Sequence, residues 1–302
     1  MKTKSVMAVI SCYRPGESLV ECCESVRRQV DRTIVVDDGS LDINHSIMNR
    51  IYAMPTVEVI LSHTNRGLAH SLNVGIARAK SAGASHILLL DQDSAVDNWF
   101  VADETLLFSI LLENDIVPGM IIPEFIANVA PNKPEVTIHG FRTRCDPITS
   151  GQLLPVTTFD AIGPFREDFF IDYVDIEFYL RMKSHGLYAY VVPGLNLTHS
   201  LGVDAPMGLV ERGLRRIRHG APLRVHPPFR TYYIFRNSVY TMLKYRRHDP
   251  CYWRREIVGL AKKSIVTILI GRYRAAQLVA MVSGSWDGIL GHLGRRETGR
   301  WS

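Results

Sequence analysis

Two aspartates separated by one residue follow an apolar run in the first third of the chain. The run His-Ile-Leu-Leu-Leu leads into Asp91-Gln92-Asp93, so both carboxylates stand where a predicted buried strand ends. Two hard oxygen ligands at this spacing can bind Mg²⁺ or Mn²⁺, and such an ion can neutralise a diphosphate leaving group. A solvated turn at the strand end is the alternative. The triplet is therefore informative only together with other motifs.

A second pair of acids follows another apolar run, in Val-Val-Asp37-Asp38-Gly39-Ser40. A carboxylate here can accept a hydrogen bond from the ring N–H of uracil or thymine, which predicts a pyrimidine site. An Asx turn or a helix cap is the alternative, and Ser40 or Asp42 could also provide the cap.

A third segment has the pattern N-x-G-x-A-x-x-x-N-x-G. Its members are Asn65, Gly67, Ala69, Asn73 and Gly75. Small residues allow the backbone to approach a ligand closely, and amide side chains with Arg66 can contact ribose or phosphate oxygens. For Asn65, capping of the following helix is the alternative.

An acid-rich loop leads into a predicted helix at residues 163–181, where large apolar side chains separate the carboxylates. The acids are Asp168, Asp172, Asp175 and Glu177. Carboxylates buried among such side chains tend to be functional or paired with cations. Arg181 follows Glu177 by four residues on the helix, so an ion pair and a functional role are both open for that glutamate.

These motifs depend on an alternation of apolar runs with amphipathic segments over the first 120 residues or so. Strands are predicted at residues 6–10, 33–36, 57–61, 87–90 and 116–122. Helices are predicted at 17–30, 42–52, 69–82 and 99–113. The alternation predicts an α/β fold, a mostly parallel sheet with helices on both faces. Ligands bind at the carboxyl ends of such strands, so the polar clusters at 11–14, 37–40 and 91–94 should share one edge.

The alternation ends after Pro123, and a helix at 173–185 and a strand at 188–192 follow. We predict one domain over residues 1–202, with a donor half at about 1–123 and an acceptor half at about 124–202, and a basic helical region at 203–302. From Arg212 onward there are 19 Lys and Arg against 4 Asp and Glu, whereas the preceding part has 16 against 26.

Composition excludes several protein classes. The 46% hydrophobic and 22% charged residues are typical of a soluble globular protein. Five scattered cysteines without a C-x-x-C pair fit a reducing cytoplasm. The apolar runs near the C-terminus are shorter than the roughly 20 residues that cross a bilayer. The segment after the first strand lacks G-x-G-x-x-G, which argues against a dinucleotide-dependent oxidoreductase.

Basic residues interleave with aromatic and aliphatic residues in the C-terminal third, from Arg212 to Arg274. This pattern fits an anionic membrane surface. No nucleic-acid recognition motif accompanies it, so a nucleic acid is not predicted as a partner. Solvated helix faces or a homo-oligomer contact through the C-terminal helices are the alternatives.

Together these motifs, with Ile148-Thr-Ser-Gly151 and His199, closely resemble the family 2 glycosyltransferases of the GT-A fold. Within that family the chain is similar to bacterial rhamnosyltransferases that build O-antigen and related cell-surface polysaccharides. The resemblance covers about residues 5–202, and residues 163–181 are its most specific part.

The resemblance implies a role for each motif. Asp37 or Asp38 would contact the base, and Asp175 would be the catalytic base with Asp172 as runner-up. The implied metal ligands are Asp91, Asp93 and His199. The implied donor-binding residues are Ser11, Tyr13, Arg14, Asp37, Asp38, Asn65, Gly67, Ala69, Asn73, Asp91 and Gln92. The implied acceptor-side residues are Ser150, Gly151, Asp172 and Glu177.

The expected activity is inverting transfer of L-rhamnose from dTDP-β-L-rhamnose, with Mg²⁺ or Mn²⁺, to a polyprenyl-diphosphate-linked or saccharide acceptor. Transfer of galactofuranose, glucose or N-acetylglucosamine from UDP is an alternative, and a non-catalytic nucleotide-sugar-binding protein is another. The expected location is cytoplasmic and peripheral, on the inner face of the plasma membrane.

Overall fold

The computed structural model of the protein describes residues 5–41, 45–129, 135–145, 147–199, 226–270 and 273–296. The chain forms two compact units. The first comprises Met1–Glu167 and Val174–Ser200, and the second comprises Asp168–Tyr173 and Leu201–Ser302. The six residues 168–173 therefore belong to the C-terminal unit, which the predicted boundary at residue 202 did not anticipate.

The first unit is a mixed α/β structure around one sheet, with helices on both sides. Its strands are β1 (Val6–Cys12), β2 (Arg32–Asp37), β3 (Val57–Leu61), β4 (His86–Asp91), β5 (Ser94–Val96), β6 (Met120–Ile126), β7 (Glu135–Ile138), β8 (Phe141–Arg144), β9 (Gln152–Pro155) and β10 (Ala189–His199). Its helices are α1 (Glu17–Val26), α2 (His45–Tyr52), α3 (Leu68–Ser81), α4 (Phe100–Glu113), α5 (Val156–Ile162) and α6 (Val174–Ser184).

The strand order is β3-β2-β1-β4-β9-β6-β10-β8-β7, with β5 paired to β10. The predicted fold class is confirmed, and the parallel arrangement holds for β3, β2, β1 and β4 and again for β6 with β10. Strand β9 is antiparallel to both β4 and β6, and it separates the two parallel groups. The first half of the sheet therefore presents the carboxyl ends of β1, β2 and β4 side by side.

Predicted and observed elements differ mainly at their ends. Helix α1 stops at Val26 instead of residue 30, and the strand expected from residue 116 begins at Met120. Strand β10 continues to His199 rather than ending at residue 192, because its pairing with β6 resumes after an irregularity between Val192 and Asn196. The extension carries the chain to β5, beside the Asp91–Asp93 triplet.

Helix α3 lies close to the sheet because it has a glycine on its inner face. A Cβ at Gly75 would lie 2.3 Å from Val9 Cγ1 and 3.2 Å from Val36 Cγ2. The small residue at this motif position therefore allows α3 to pack on β1 and β2. It does not serve the close approach of a ligand to the backbone. Close packing at Gly75 holds the middle of α3 against these two strands.

The second unit contains α7 (Pro228–Tyr245), α8 (Pro250–Ile270) and α9 (Arg274–Leu290), which confirms the expected C-terminal helices within the described residues. Helices α7 and α9 pack closely through glycines. A Cβ at Gly284 would lie 2.4 Å from Tyr232 O, and one at Gly288 would lie 2.5 Å from Arg236 O. Among the described helices, none combines the length and apolarity required to span a membrane. The basic residues at 212, 215, 216 and 218 lie outside the described residues.

Candidate active site at the strand ends

Register pairing brings the polar clusters after β1, β2 and β4 to one edge of the sheet. Ser11 pairs with Asp91 on one side and with Val36 on the other, and Cys12 pairs with Asp37. The three strands are parallel, so all three end at the same level. The common edge expected from the sequence is confirmed.

Asp37 is almost fully buried at this edge and forms a tight turn with Ser40. The Ser40 backbone N–H donates to Asp37 Oδ2 at 2.8 Å, and the Ser40 hydroxyl donates to Oδ1 at 2.5 Å. The Ser40 hydroxyl in turn accepts from the Arg14 backbone N–H at 2.7 Å. The turn alternative is therefore observed for Asp37, and it connects the segment after β2 to the segment after β1.

Asp38 joins the loop after β2 to the loop before α3. Its Oδ1 accepts from the Arg66 N–H at 2.8 Å, and its Oδ2 accepts from the Gly67 N–H at 2.9 Å. Burial raises the pKa of Asp38, and hydrogen bonds from those two backbone N–H groups partly oppose the rise. A Cβ at Gly39, where φ is +71°, would lie 2.3 Å from the carbonyl carbon of Thr64. Asp38 therefore anchors this loop.

The start of α3 does not show the alternative considered for Asn65, which was capping of this helix. Gly67 is the N-cap residue, with φ at +96° and no side-chain capping hydrogen bond. Ala69 is buried in the first turn, where it packs within the protein. Asp42, the other capping candidate, lies outside the described residues.

The Asp91-Gln92-Asp93 segment is held by β1 on one side and by the loop before β9 on the other. Gln92 Oε1 accepts from the Tyr13 N–H at 2.9 Å. The Ser150 hydroxyl accepts from the Asp91 N–H at 3.0 Å and lies 2.7 Å from the Ser94 hydroxyl. Ser150, which was predicted on the acceptor side, is buried. In the structure its hydroxyl holds the end of β4 in place.

Gly151 continues this support. Its N–H donates to the Leu89 carbonyl at 2.8 Å, and its φ is +79°. A Cβ there would lie 3.2 Å from both Leu197 Cδ2 and Pro123 Cγ. The glycine is required by backbone conformation and close packing beneath the strand-end loop.

The residues implied as metal ligands lie on segments that the strand pairing brings next to each other. Asp91 and Asp93 are half-buried, and the pairing of β10 with β5 places His199 opposite Ser94, the residue after Asp93. The His199 side chain lies outside what the structure describes. Across the described ranges, no group of three or more His, Cys, Asp or Glu side chains converges as a metal site. Two carboxylates, with a histidine on the adjoining strand, provide ligand atoms that suit Mg²⁺ or Mn²⁺.

Asn73 and His70 on α3 hold the acid-rich loop. The Asn73 amide donates to Phe165 O at 2.9 Å and accepts from Phe165 N at 2.9 Å. It also donates to Glu167 Oε1 at 3.1 Å, and His70 Nδ1 lies 3.0 Å from Glu167 Oε2. Burial acts to raise the pKa of Glu167, but the hydrogen bonds from Asn73 and His70 outweigh it and lower the pKa. The donor-binding role of Asn73 stays a prediction beside this observed one.

Asp175 and Glu177 lie in the first turn of α6 but in different surroundings. Asp175 is half-buried, and its Oδ1 accepts from the Ile176 N–H at 2.8 Å. Glu177 is fully buried and lies 3.0 Å from Arg181, whose guanidinium also donates to the Ile162 and Pro164 carbonyls. The buried ion pair with Arg181 supports the structural interpretation of Glu177.

Asp172 belongs to the second unit and is bound there by an arginine. Arg230 Nε donates to Asp172 Oδ2 at 3.0 Å and Arg230 Nη2 donates to Oδ1 at 2.9 Å. The hydrogen bond to Asp172 raises the pKa of Arg230, against the effect of burial. Asp172 and Tyr173 both have positive φ, at 61° and 65°. Two successive non-glycine residues in this region are strained unless their surroundings hold them.

Comparison with known proteins finds similarity to glycosyltransferases. Residues 7–103, which contain β1 to β4 and their terminal clusters, match the sequence model described as Glycosyl transferase family 2. The dTDP-rhamnosyl transferase RfbF of Shigella flexneri is 26% identical over 96% of this chain and 97% of its own length. The protein is a glycosyltransferase, and its residues 7–103 resemble family 2. The glycosyltransferase GlyG of Streptococcus pneumoniae is 32% identical over 30% of this chain and 31% of its own.

Solved structures share the fold of this glycosyltransferase at low sequence identity. GalNAc-T7, crystallised with UDP, GalNAc and Mn²⁺, has a TM-score of 0.63 at 13% identity and covers 96% of this chain. This chain spans 58% of that one. S. aureus TarS 1–349 in complex with UDP-GlcNAc has a TM-score of 0.52 at 14% identity, over 95% of this chain and 92% of its own.

Sequence reasoning about this glycosyltransferase missed three residues that hold its candidate site. Ser40 was considered only as a cap, Glu167 was not selected from its acid-rich loop, and Arg230 was one of many basic residues. Their partners lie 26, 94 and 58 positions away for Ser40, Glu167 and Arg230. No local pattern reports contacts at such separations.

Proposed function

We propose that this glycosyltransferase transfers L-rhamnose from dTDP-β-L-rhamnose to an acceptor hydroxyl, with inversion at the anomeric carbon. The shared edge formed by Asp37, Ser11 and Asp91 carries the proposal, because it offers a base-binding carboxylate and a diphosphate-binding triplet on neighbouring strands. The full-length similarity to a protein named dTDP-rhamnosyl transferase supports the choice of donor.

The pyrimidine base binds near the end of β2. The Asp37 carboxylate accepts two hydrogen bonds from Ser40. Because a carboxylate has about four lone-pair positions, it can accept a further hydrogen bond from a ring N–H. Asp38 supports the same edge through Arg66 and Gly67. A ring N–H donor is present in thymine and uracil, so the site favours dTDP and UDP over GDP.

Asp91 and Asp93, with His199, would hold a divalent cation beside the diphosphate. When bound, Mg²⁺ or Mn²⁺ supplies positive charge that stabilises the leaving diphosphate. Gln92 and Ser150 keep this segment in place through the Tyr13 N–H and the Asp91 N–H. The chain's own contribution is therefore to position the two carboxylates.

Asp175 is the general base. Its carboxylate accepts the proton of the acceptor hydroxyl as the hydroxyl oxygen bonds to the anomeric carbon, and the bond from that carbon to the diphosphate oxygen breaks on the opposite face. The products are the glycoside with inverted configuration, protonated Asp175 and dTDP. No covalent sugar–enzyme intermediate is required. Correct positioning and electrostatic stabilisation supply most of such a rate enhancement.

The acceptor is a polyprenyl-diphosphate-linked or free saccharide, and the enzyme works at the cytoplasmic face of the plasma membrane. Support comes from the excess of basic residues in the C-terminal unit, which suits anionic headgroups. Donors with UDP and N-acetylglucosamine, galactofuranose or glucose are the alternatives within the same chemistry. The S. aureus TarS complex with UDP-GlcNAc shows the first of these donors on the same fold.

A donor screen tests the proposal. The purified protein is incubated with dTDP-, UDP- and GDP-sugars, and both binding and release of the nucleoside diphosphate are measured. We expect dTDP-rhamnose to be turned over fastest, UDP to bind measurably and GDP to bind poorly. Binding of GDP as tight as that of dTDP would contradict the pyrimidine site. Fastest turnover of a UDP-sugar would replace rhamnose by that sugar.

A further inference from the structure

Helix α9 exposes an apolar face to solvent. The large side chains on that face are Leu278, Val279, Val282, Trp286, Ile289 and Leu290, all at least 45% exposed. At 100° per residue they fall within an arc of about 120° on one side of the helix. The opposite side, with Ala280, Gly284 and Gly288, is buried. A helix that is apolar on both sides normally has both covered.

Helix α8 exposes a related face. Its exposed apolar residues are Trp253, Ile257, Val258, Ile265 and Leu269. Arg254 and Lys262 are also exposed, and at helical spacing they fall within the same half of the helix. Apolar side chains with interspersed cations are the pattern of helices that lie in a membrane interface.

The acids between residues 226 and 296 are engaged elsewhere. Between residues 226 and 296 the sequence has 13 Lys and Arg against 3 Asp and Glu. Glu256 is bonded to Tyr173 and Ser238, Asp249 is buried and accepts from the Tyr252 N–H, and Asp287 accepts from the Tyr232 hydroxyl. The side chains that remain to carry charge beside the apolar faces are therefore mainly Lys and Arg.

We infer that the exposed apolar faces of α8 and α9 insert into the interfacial region of an anionic lipid bilayer. Side chains such as Val282 and Trp286 would enter the lipid, and Arg254 and Lys262 would contact anionic headgroups. A second copy of the chain suits these faces less well, because its own excess of basic residues would be brought against the same charges. The inference deepens the proposed membrane location, and lipid binding can be measured without donor or acceptor.

Vesicle binding of the full-length protein tests the inference. Wild type and Val282→Ser/Trp286→Ser are sedimented with phosphatidylcholine vesicles that contain or lack phosphatidylglycerol. We expect wild type to bind only the anionic vesicles, and the double variant to bind them about tenfold more weakly or worse because two apolar side chains no longer enter lipid. Binding of the double variant at wild-type strength would overturn the inference.

A matched control and a second measurement separate the alternatives. Leu106→Ser removes a 59% exposed apolar side chain from α4 in the other unit and should leave vesicle binding unchanged. Equal loss in Leu106→Ser would contradict a specific surface. A wild-type dimer in the absence of vesicles that Val282→Ser/Trp286→Ser converts to a monomer would assign the face to a second copy instead. Donor turnover with a water-soluble acceptor should be equal in all three proteins, so failure of lipid binding and failure of the proposed activity are distinguishable.

Discussion

Arg230 and Asp172 form a two-pronged ion pair, with Nε and Nη2 on the two carboxylate oxygens at 3.0 and 2.9 Å. Asn237 completes this attachment by donating to the Ile171 and Asp172 carbonyls at 2.9 Å each. The helical unit thus holds the loop that ends two residues before Asp175. A carboxylate occupied in this way is poorly placed to accept a substrate proton, which favours Asp175 as the general base.

Replacing Arg230 should loosen the loop without removing any reacting group. Arg230→Ala is expected to lower the free energy of unfolding by about 1 kcal/mol, a value discounted because the arginine is 40% exposed. It should also lower kcat several-fold while donor affinity changes little. Arg230→Lys keeps the charge but not the two-pronged geometry, so an intermediate effect is expected. Unfolding curves and steady-state kinetics measure both quantities. An unchanged kcat in Arg230→Ala would show that this attachment is not needed to position the loop.

Asp37 and Asp38 should differ when each is changed to Asn. Asp38→Asn loses one acceptor for the Arg66 and Gly67 N–H groups and should destabilise the protein by about 1–3 kcal/mol. For Asp37→Asn, the loss of dTDP binding free energy should exceed the loss of unfolding free energy. Calorimetry with dTDP and thermal unfolding distinguish the two effects. Equal dTDP affinity in wild type and Asp37→Asn would remove Asp37 from the base site.

Donor binding should require a divalent cation. Excess EDTA is expected to abolish turnover, and added Mg²⁺ or Mn²⁺ should restore it. Asp93→Ala should weaken donor affinity strongly, and Asp91→Asn should be milder if that side chain contacts ribose instead. Donor titrations with and without metal provide the measurement. Full turnover in excess EDTA would exclude the metal role.

Glu104 on α4 should make stability depend on pH. It is fully buried, and within the described residues neither carboxylate oxygen has a hydrogen-bond partner. Burial raises the pKa of Glu104 well above 4.5. With the folded-state pKa above the unfolded one, the contribution of Glu104 to stability is greatest below about pH 4.5 and is lost as pH rises through the folded-state pKa.

Glu104→Met should remove that dependence and stabilise the protein at neutral pH by about 1–3 kcal/mol. Urea unfolding at several pH values measures the effect. Glu113→Gln, an exposed position at the end of the same helix, is the matched control and should behave as wild type. A Glu104→Met variant less stable than wild type at neutral pH would indicate that the carboxylate has a stabilising partner.

The strand-end edge was predictable because its determinants are local. Four apolar runs, each followed by a helical segment, define parallel strands, and the acids at 37, 38, 91 and 93 directly follow two of them. Strand β9 was not predicted, since four residues offer too little periodicity to separate a strand from a loop. Its antiparallel insertion beside β4 depends on tertiary pairing.

The attachment of residues 168–173 to the helical unit was not predictable from the sequence. Asp172 and Arg230 are 58 positions apart, and a surface cation gives no sign of its partner. The left-handed conformations at Asp172 and Tyr173 were equally hidden, because non-glycine residues rarely adopt them. The same long-range contacts explain why spacing alone left Asp172 and Asp175 as rival bases.

The kinetic comparison of Asp175→Asn with Asp172→Asn tests the central claim most directly. Donor affinity and kcat are measured for both variants with dTDP-rhamnose and an acceptor. A base that acts only on the acceptor hydroxyl predicts that Asp175→Asn lowers kcat by about 10²–10⁴ while dTDP-rhamnose affinity is nearly unchanged. Asp172→Asn should cost less in kcat and more in acceptor KM. Near wild-type turnover of Asp175→Asn, together with an inactive Asp172→Asn, would contradict the assignment and exchange the two roles.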